Sequence, residues 1–113
     1  MAITLSGNSA TIGTTEYSLP NASTTLTPQT DDCILQAIID FNAMAAGDQY
    51  RLRVYEKAGS GASQRVVYEA VLTGAQNESV ATPSIIVGDG WDITVKKLSG
   101  TDRSIVWSIR KVA

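Results

Sequence analysis

Apolar and polar residues alternate with period two along most of the chain after residue 48. Tyr50, Leu52 and Val54 share one phase, while Arg51, Arg53 and Tyr55 take the other. A strand turns successive side chains to opposite faces, so this pattern predicts a strand with one buried face. Arg65 to Leu72 repeats the pattern, with Val66, Tyr68, Ala70 and Leu72 in phase. Trp91 to Leu98 does so again, and Arg103 to Val112 places Ile105, Trp107 and Ile109 together. Ser79 to Val87 reads as a strand bent at Pro83, which lacks the N–H a ladder needs. The segment from Asp31 to Phe41 is apolar without a clear period. A buried strand or a short helix would fit; its Ile and Phe content favours the strand, followed over Asn42–Asp48 by a turn or single helical turn ending at Gly47.

Breaks fall between these runs at Glu56–Gln64, Thr73–Glu78, Gly88–Gly90 and Ser99–Asp102, the last reading as a short hairpin turn. Turn signals at roughly eight- to twelve-residue spacing, with no 3.6-residue period, are the mark of an antiparallel sandwich or barrel. The expected fold is all-β: a single antiparallel β-sandwich of seven or eight strands, jelly-roll-like or immunoglobulin-like. The first thirty residues differ from the rest. They hold one charged side chain, Glu16, among many Ser and Thr. Few apolar side chains mean little buried area to offset ordering entropy. Residues 1–30 are therefore expected to be an arm, and residues 31–113 the sandwich. Within the arm, Ala2–Leu5 and Ala10–Ile12 would form a hairpin about Ser6–Ser9. Glu16–Leu19 would form a short strand stopped by Pro20, and Thr24–Thr27 an edge segment.

With 113 residues, one domain is the limit. A net charge of −2 and a pI near 4.9 give no cationic field, which argues against nucleic acid as a partner. No run is long and apolar enough for a membrane helix. The first residues lack the basic and apolar regions of a secretory signal, so synthesis and folding in the cytoplasm are expected, and the sequons at Asn21 and Asn77 are expected to stay unmodified.

The chain has no histidine, which removes Ser-His-Asp and Cys-His nucleophile systems and imidazole metal sites. The lone Cys33 has no disulfide partner within the chain and reads as a small buried hydrophobe. Asp31 and Asp32 are adjacent, so on a strand they face opposite ways; Asp89 and Asp92 flank a Gly-rich turn without the spacing of a calcium loop. Gly59-Ser60-Gly61 lies between two alternating segments and not ahead of a helix, so it reads as a hairpin loop, not a phosphate cradle. No catalytic residue, cofactor or metal ligand is assigned, and the chain is expected not to be an enzyme. Trp91 and Trp107 would suit sugar stacking if exposed, but each lies in the apolar phase of its strand. Arg51, Arg53, Lys57 and Arg65 would form either a partner-binding rim or an ordinary solvated face balanced by Glu56 and Glu69.

The stretches Ala45–Lys57, Thr73–Gln76 with Tyr68, and Gly90–Val112 resemble small β-sandwich structural proteins of tailed bacteriophages. The resemblance covers about residues 31–112 and implies a virion structural role, as a decoration or cement protein on the capsid exterior. Its partner would be the major capsid protein, and it would act as a homo-oligomer, a trimer being the expected form. Attachment is expected from the segment Ala2–Leu19, with Ile3, Leu5, Ile12 and Tyr17 as contact residues and Arg51 and Arg53 as charged contacts. The alternatives are a carbohydrate- or cell-surface-binding module of a tail or fibre, or a small head–tail component.

Overall fold

The computed structural model describes residues 3–112. Among these, the regular elements are strands: β1 (Ile3–Ile12), β2 (Tyr17–Ser18), β3 (Cys33–Asp40), β4 (Gln49–Lys57), β5 (Gln64–Thr73), β6 (Val80–Ala81), β7 (Ile85–Val87), β8 (Asp92–Ser99) and β9 (Arg103–Val112). No helix among the described residues is long and apolar enough to cross a membrane. One sheet runs β1-β9-β3, with β6 and β7 both on the far edge of β3; the other runs β2-β8-β4-β5, and every pairing is antiparallel. The chain crosses between the sheets at nearly every connection, the exceptions being the β4–β5 hairpin and the step from β6 to β7. Counting β6 and β7 as one strand broken at Pro83, this is the eight-strand connectivity of a jelly roll.

The inner faces follow the alternation. Leu35, Ala37 and Ile39 of β3 and Ile105, Trp107 and Ile109 of β9 meet Tyr50, Leu52 and Val54 of β4 and Ile93 and Val95 of β8, all buried. At Pro83 the missing backbone donor is bypassed. The Thr82 hydroxyl accepts from Ala37 N–H at 3.0 Å, and Thr82 N–H donates to the Ala37 carbonyl at 2.9 Å. The strand break therefore costs no buried hydrogen bond.

Several expectations need correction. Residues 6–9 do not turn: β1 is continuous and pairs with β9 over its whole described length, from Ile3↔Val112 to Ile12↔Arg103. The residues called an arm are thus tied to their own sheet, and Ile12 and Leu19 enter the core. Backbone pairing needs no apolar side chain, so a Ser/Thr-rich strand docks where its composition alone argues for solvation. Ala2, the proposed first residue of that strand, lies outside the described residues. Thr24–Thr27 forms no strand; the loop touches the sheet further on, at the Gln29↔Trp91 bridge. Ser99–Asp102 is not a hairpin, because β8 and β9 belong to different sheets. Val66 leaves the inner phase: a bulge opposite Val54/Tyr55 pairs it with Tyr55 on the outer face.

The β8–β9 crossing is held by a buried acid. Asp48 Oδ1 accepts from Thr101 N–H at 3.0 Å, and Oδ2 accepts from Ala45 N–H at 2.9 Å and Arg103 Nε at 2.7 Å. Gly100, at φ +92°, passes so close that a Cβ there would collide with the Asp48 carboxylate and backbone. Those N–H donors hold the Asp48 carboxyl near pKa 2, the backbone bonds contributing before Arg103. Tyr50 completes the knot, its hydroxyl lying 2.9 Å from the Ile12 carbonyl and 3.0 Å from that of Thr101, and accepting from Arg103 N–H at 2.8 Å.

Candidate interaction surface

The outer face of the β1-β9-β3 sheet carries the most unusual surface. Directly paired residues of antiparallel strands share a face. The register Ile3↔Val112, Val112↔Ile34 and Ile34↔Ile86 therefore lays four aliphatic side chains in one row across β1, β9, β3 and β7. At strand spacing the row is roughly 14 Å long. Ile3 is 64% exposed, Ile34 44% and Ile86 81%. Leu5, two residues along β1 on the same face, is 59% exposed. Shallow hollows of ≈ 240 Å³ and ≈ 300 Å³ flank Ile34, bounded by Gln36, Ser84 and Arg110 on one side and by Asp32 and Cys33 on the other. Scattered exposed aliphatics are ordinary, whereas these five lie together on one face. Burial raises the pKa of the Cys33 thiol, the nearby Asp31 charge adding to it, so this half-buried sulfur stays protonated.

The opposite outer face has a polar, internally paired centre, with Val66, Val67 and Val71 of β5 exposed toward its edge. Arg53 Nε bonds Glu69, and Tyr55 and Thr94 hydroxyls both donate to Glu16, whose carboxylate also lies 3.9 Å from Arg51. Glu56 accepts from Gly88 N–H at 2.6 Å. Arg53 is thus balanced by Glu69, as a solvated face requires, and Arg51 by Glu16. The pairing of Glu16 with residues distant in sequence depends on β2 docking beside β8, which no local pattern reveals.

The six candidate contact residues are dispersed. Ile3 and Leu5 lie together in the apolar row, and Arg51 and Arg53 lie on the other side of the sandwich. Ile12 is fully enclosed in the core. Tyr17 is half-buried and packs edge-on against Trp107, with ring centroids 5.7 Å apart. The residues that extend Ile3 and Leu5 into a surface are Ile34, Ile86 and Val112. Sequence reasoning missed them because their alignment is a property of register between strands far apart in the chain.

The remaining candidate chemistry is structural. Trp91 and Trp107 are 0% and 4% exposed. Trp91 Nε1 donates to the Asp31 carbonyl at 2.8 Å, and Lys111 Nζ sits 5.1 Å from its ring centroid while bonding Asp31 Oδ2 at 2.8 Å. That lysine keeps the Asp31 carboxyl below its ordinary range. Asp89 is exposed in its turn, whereas Asp92 is buried and accepts from the Ser18 hydroxyl at 2.7 Å and from Ile93 N–H at 2.8 Å. The two acids thus sit in different environments. Among the described residues no three acidic or cysteine side chains gather as a metal site. A cleft of ≈ 150 Å³ lies beneath β1, lined by Ser6, Asn8, Leu19, Gln29, Trp107 and Lys111 among others. It is smaller than the roughly 300 Å³ at which small-molecule sites begin.

Neither a family model nor a curated protein sequence matches this chain.

Proposed function

We propose that this chain is a non-enzymatic virion structural protein of the capsid decoration or cement type, binding the outer surface of the shell. The observation that carries the reading is the aligned apolar row Ile3–Val112–Ile34–Ile86 with Leu5 beside it. Burying such a row on coat subunits releases water from a contiguous apolar surface, a driving force that needs no charged partner. Many copies, each contributing a modest contact, together stabilise a shell by binding the assembled state in preference to the dispersed one. The jelly-roll connectivity adds an analogy of fold, since capsid domains use it, but the argument rests on the surface. Attachment is placed on the β1-β9-β3 face and not on Arg51 and Arg53, whose charges are engaged by Glu16 and Glu69. A sugar-stacking module would need an exposed indole, and both tryptophans are enclosed.

The test is co-sedimentation with undecorated shells assembled from the coat protein encoded in the same genome. Wild type should pellet with shells. Ile34→Asp/Ile86→Asp, altering exposed positions, should keep the wild-type circular dichroism and lose at least tenfold in occupancy. Equal occupancy of the folded double variant, or no pelleting of wild type, would overturn the assignment.

A further inference from the structure

A sandwich has four sheet edges, and here three carry the devices that prevent edge-to-edge association. The β2 edge is two residues long. The β6/β7 edge is broken at Pro83. The β5 edge has a bulge opposite Val54/Tyr55 and presents Arg65 and Glu69. The β1 edge has none of these. It runs from Ile3 to Ile12 without a charged residue, a proline or a register shift, and only one of its sides is paired, to β9. Its side chains over residues 3–9 are exposed in both phases, and the loop carrying Leu19, Ala22 and Gln29 approaches only across the cleft beneath Ser6 and Asn8. The Ser9 amide donates to the neighbouring Asn8 Oδ1 at 2.8 Å, a local substitute for an adjacent strand.

We infer that β1 pairs antiparallel with β1 of a second copy of this chain, about a twofold axis at Gly7, joining two sheets into one. The occupant is argued from charge and closure. An uncharged strand meets its own copy without repulsion, and a twofold contact removes the open edge of both molecules at once, leaving no further edge to recruit a third. In this register Gly7 faces Gly7 of the copy, Leu5 faces Ser9 and Ile3 faces Thr11, so no bulky pair collides. A trimer would need β1 to pair with a different edge, and the other three are protected. The twofold axis stands perpendicular to the joined sheet, so both apolar rows face the same side, as shared attachment to one shell would require. The pairing itself does not depend on that attachment.

Light scattering behind a sizing column tests it on the free protein, without shells. Wild type should have twice the 12.0 kDa chain mass. Leu5→Lys/Ser9→Lys sets lysines opposite lysines in this register and should run as a monomer with unchanged circular dichroism. Leu5→Glu/Ser9→Lys sets opposite charges in the same places and should restore the dimer. A wild-type monomer or trimer, or a lysine pair that stays dimeric, would overturn the inference. So would a monomer whose β1 amides gain exchange protection only on shells, which would make the added strand the coat's.

Discussion

Asp92 offers a clean test of how the polar interior is built. It is buried at the start of β8, and its carboxylate is served by one hydroxyl and one amide, from Ser18 and Ile93, with the negative Glu16 nearby. Burial raises its pKa from 3.8 to about 6, the two hydrogen bonds opposing the shift and Glu16 adding to it. Between those values the folded protein holds a proton that the unfolded chain has released. Stability therefore falls as pH rises through this window and is regained as pH is lowered. Complete transfer of the shift into stability would be about 3 kcal/mol at high pH. The part of it expressed between pH 5 and pH 7, allowing for solvent screening, is about 1 kcal/mol.

The window is unusually free of interference, because the chain has no histidine. Asp48 and Asp31, whose pKa values are lowered, titrate below it in the folded state. Urea unfolding followed by fluorescence of the two buried tryptophans at pH 5, 6 and 7 reads the effect directly. Wild type should be more stable at pH 5 than at pH 7 by about 1 kcal/mol. Asp92→Asn keeps an acceptor toward Ser18 and Ile93 but cannot ionise, so its stability should be flat over the same range. A wild-type slope of zero or opposite sign, or an Asn variant that keeps the slope, would refute the assignment of the strained ionisation to Asp92.

Tyr50→Phe should cost about 2–3 kcal/mol in urea or thermal unfolding, since the Ile12 and Thr101 carbonyls and the Arg103 amide lose a common partner inside the fold. Asp48 behaves oppositely to Asp92: its lowered pKa stabilises the folded state above 3.8, and that contribution is lost as pH falls through about 2. Asp48→Asn should accordingly be less stable than wild type at pH 7, with the difference in urea midpoint closing toward pH 2; a difference independent of pH would contradict it.

The fold was legible where a strand has one wet and one dry face. Tyr50, Leu52, Val54, Ile105, Trp107 and Ile109 are buried as their alternation demands, and Pro83 marks the break between β6 and β7. It was illegible where the deciding interaction is backbone pairing over long separations. Ser6-Gly7-Asn8-Ser9 has the composition of a turn, yet β9 supplies a full-length partner and the segment stays extended. Gly100 reads as a hairpin glycine, but its positive φ serves a crossing between sheets beneath the Asp48 carboxylate. The surface was half legible. Ile3 and Leu5 stand out in a polar segment, whereas Ile34 and Ile86 look like core residues until the register places them outside.

The two outer faces differ in what they offer a partner. On the β2-β8-β4-β5 side, Arg53 bonds Glu69 and the Tyr55 and Thr94 hydroxyls bond Glu16, so a partner at those groups would have to break existing bonds before forming its own; Arg51, 3.9 Å from Glu16, keeps a buried Nε without a hydrogen-bond partner. On the β1-β9-β3 side the aliphatic row from Ile3 to Ile86 has no such obligation, and covering it removes apolar surface from water, while Gln36, Ser84 and Arg110 at its margin would need water or a polar partner. The β1 edge adjoins that same face and offers backbone donors and acceptors where the row offers none. Contact through the face is tolerant of the partner's sequence, and contact through the edge fixes orientation, because a ladder has one direction and one register. Face and edge together would fix a pose, with Arg110, paired to Leu5 across β1 and β9, as the exposed charge beside their junction.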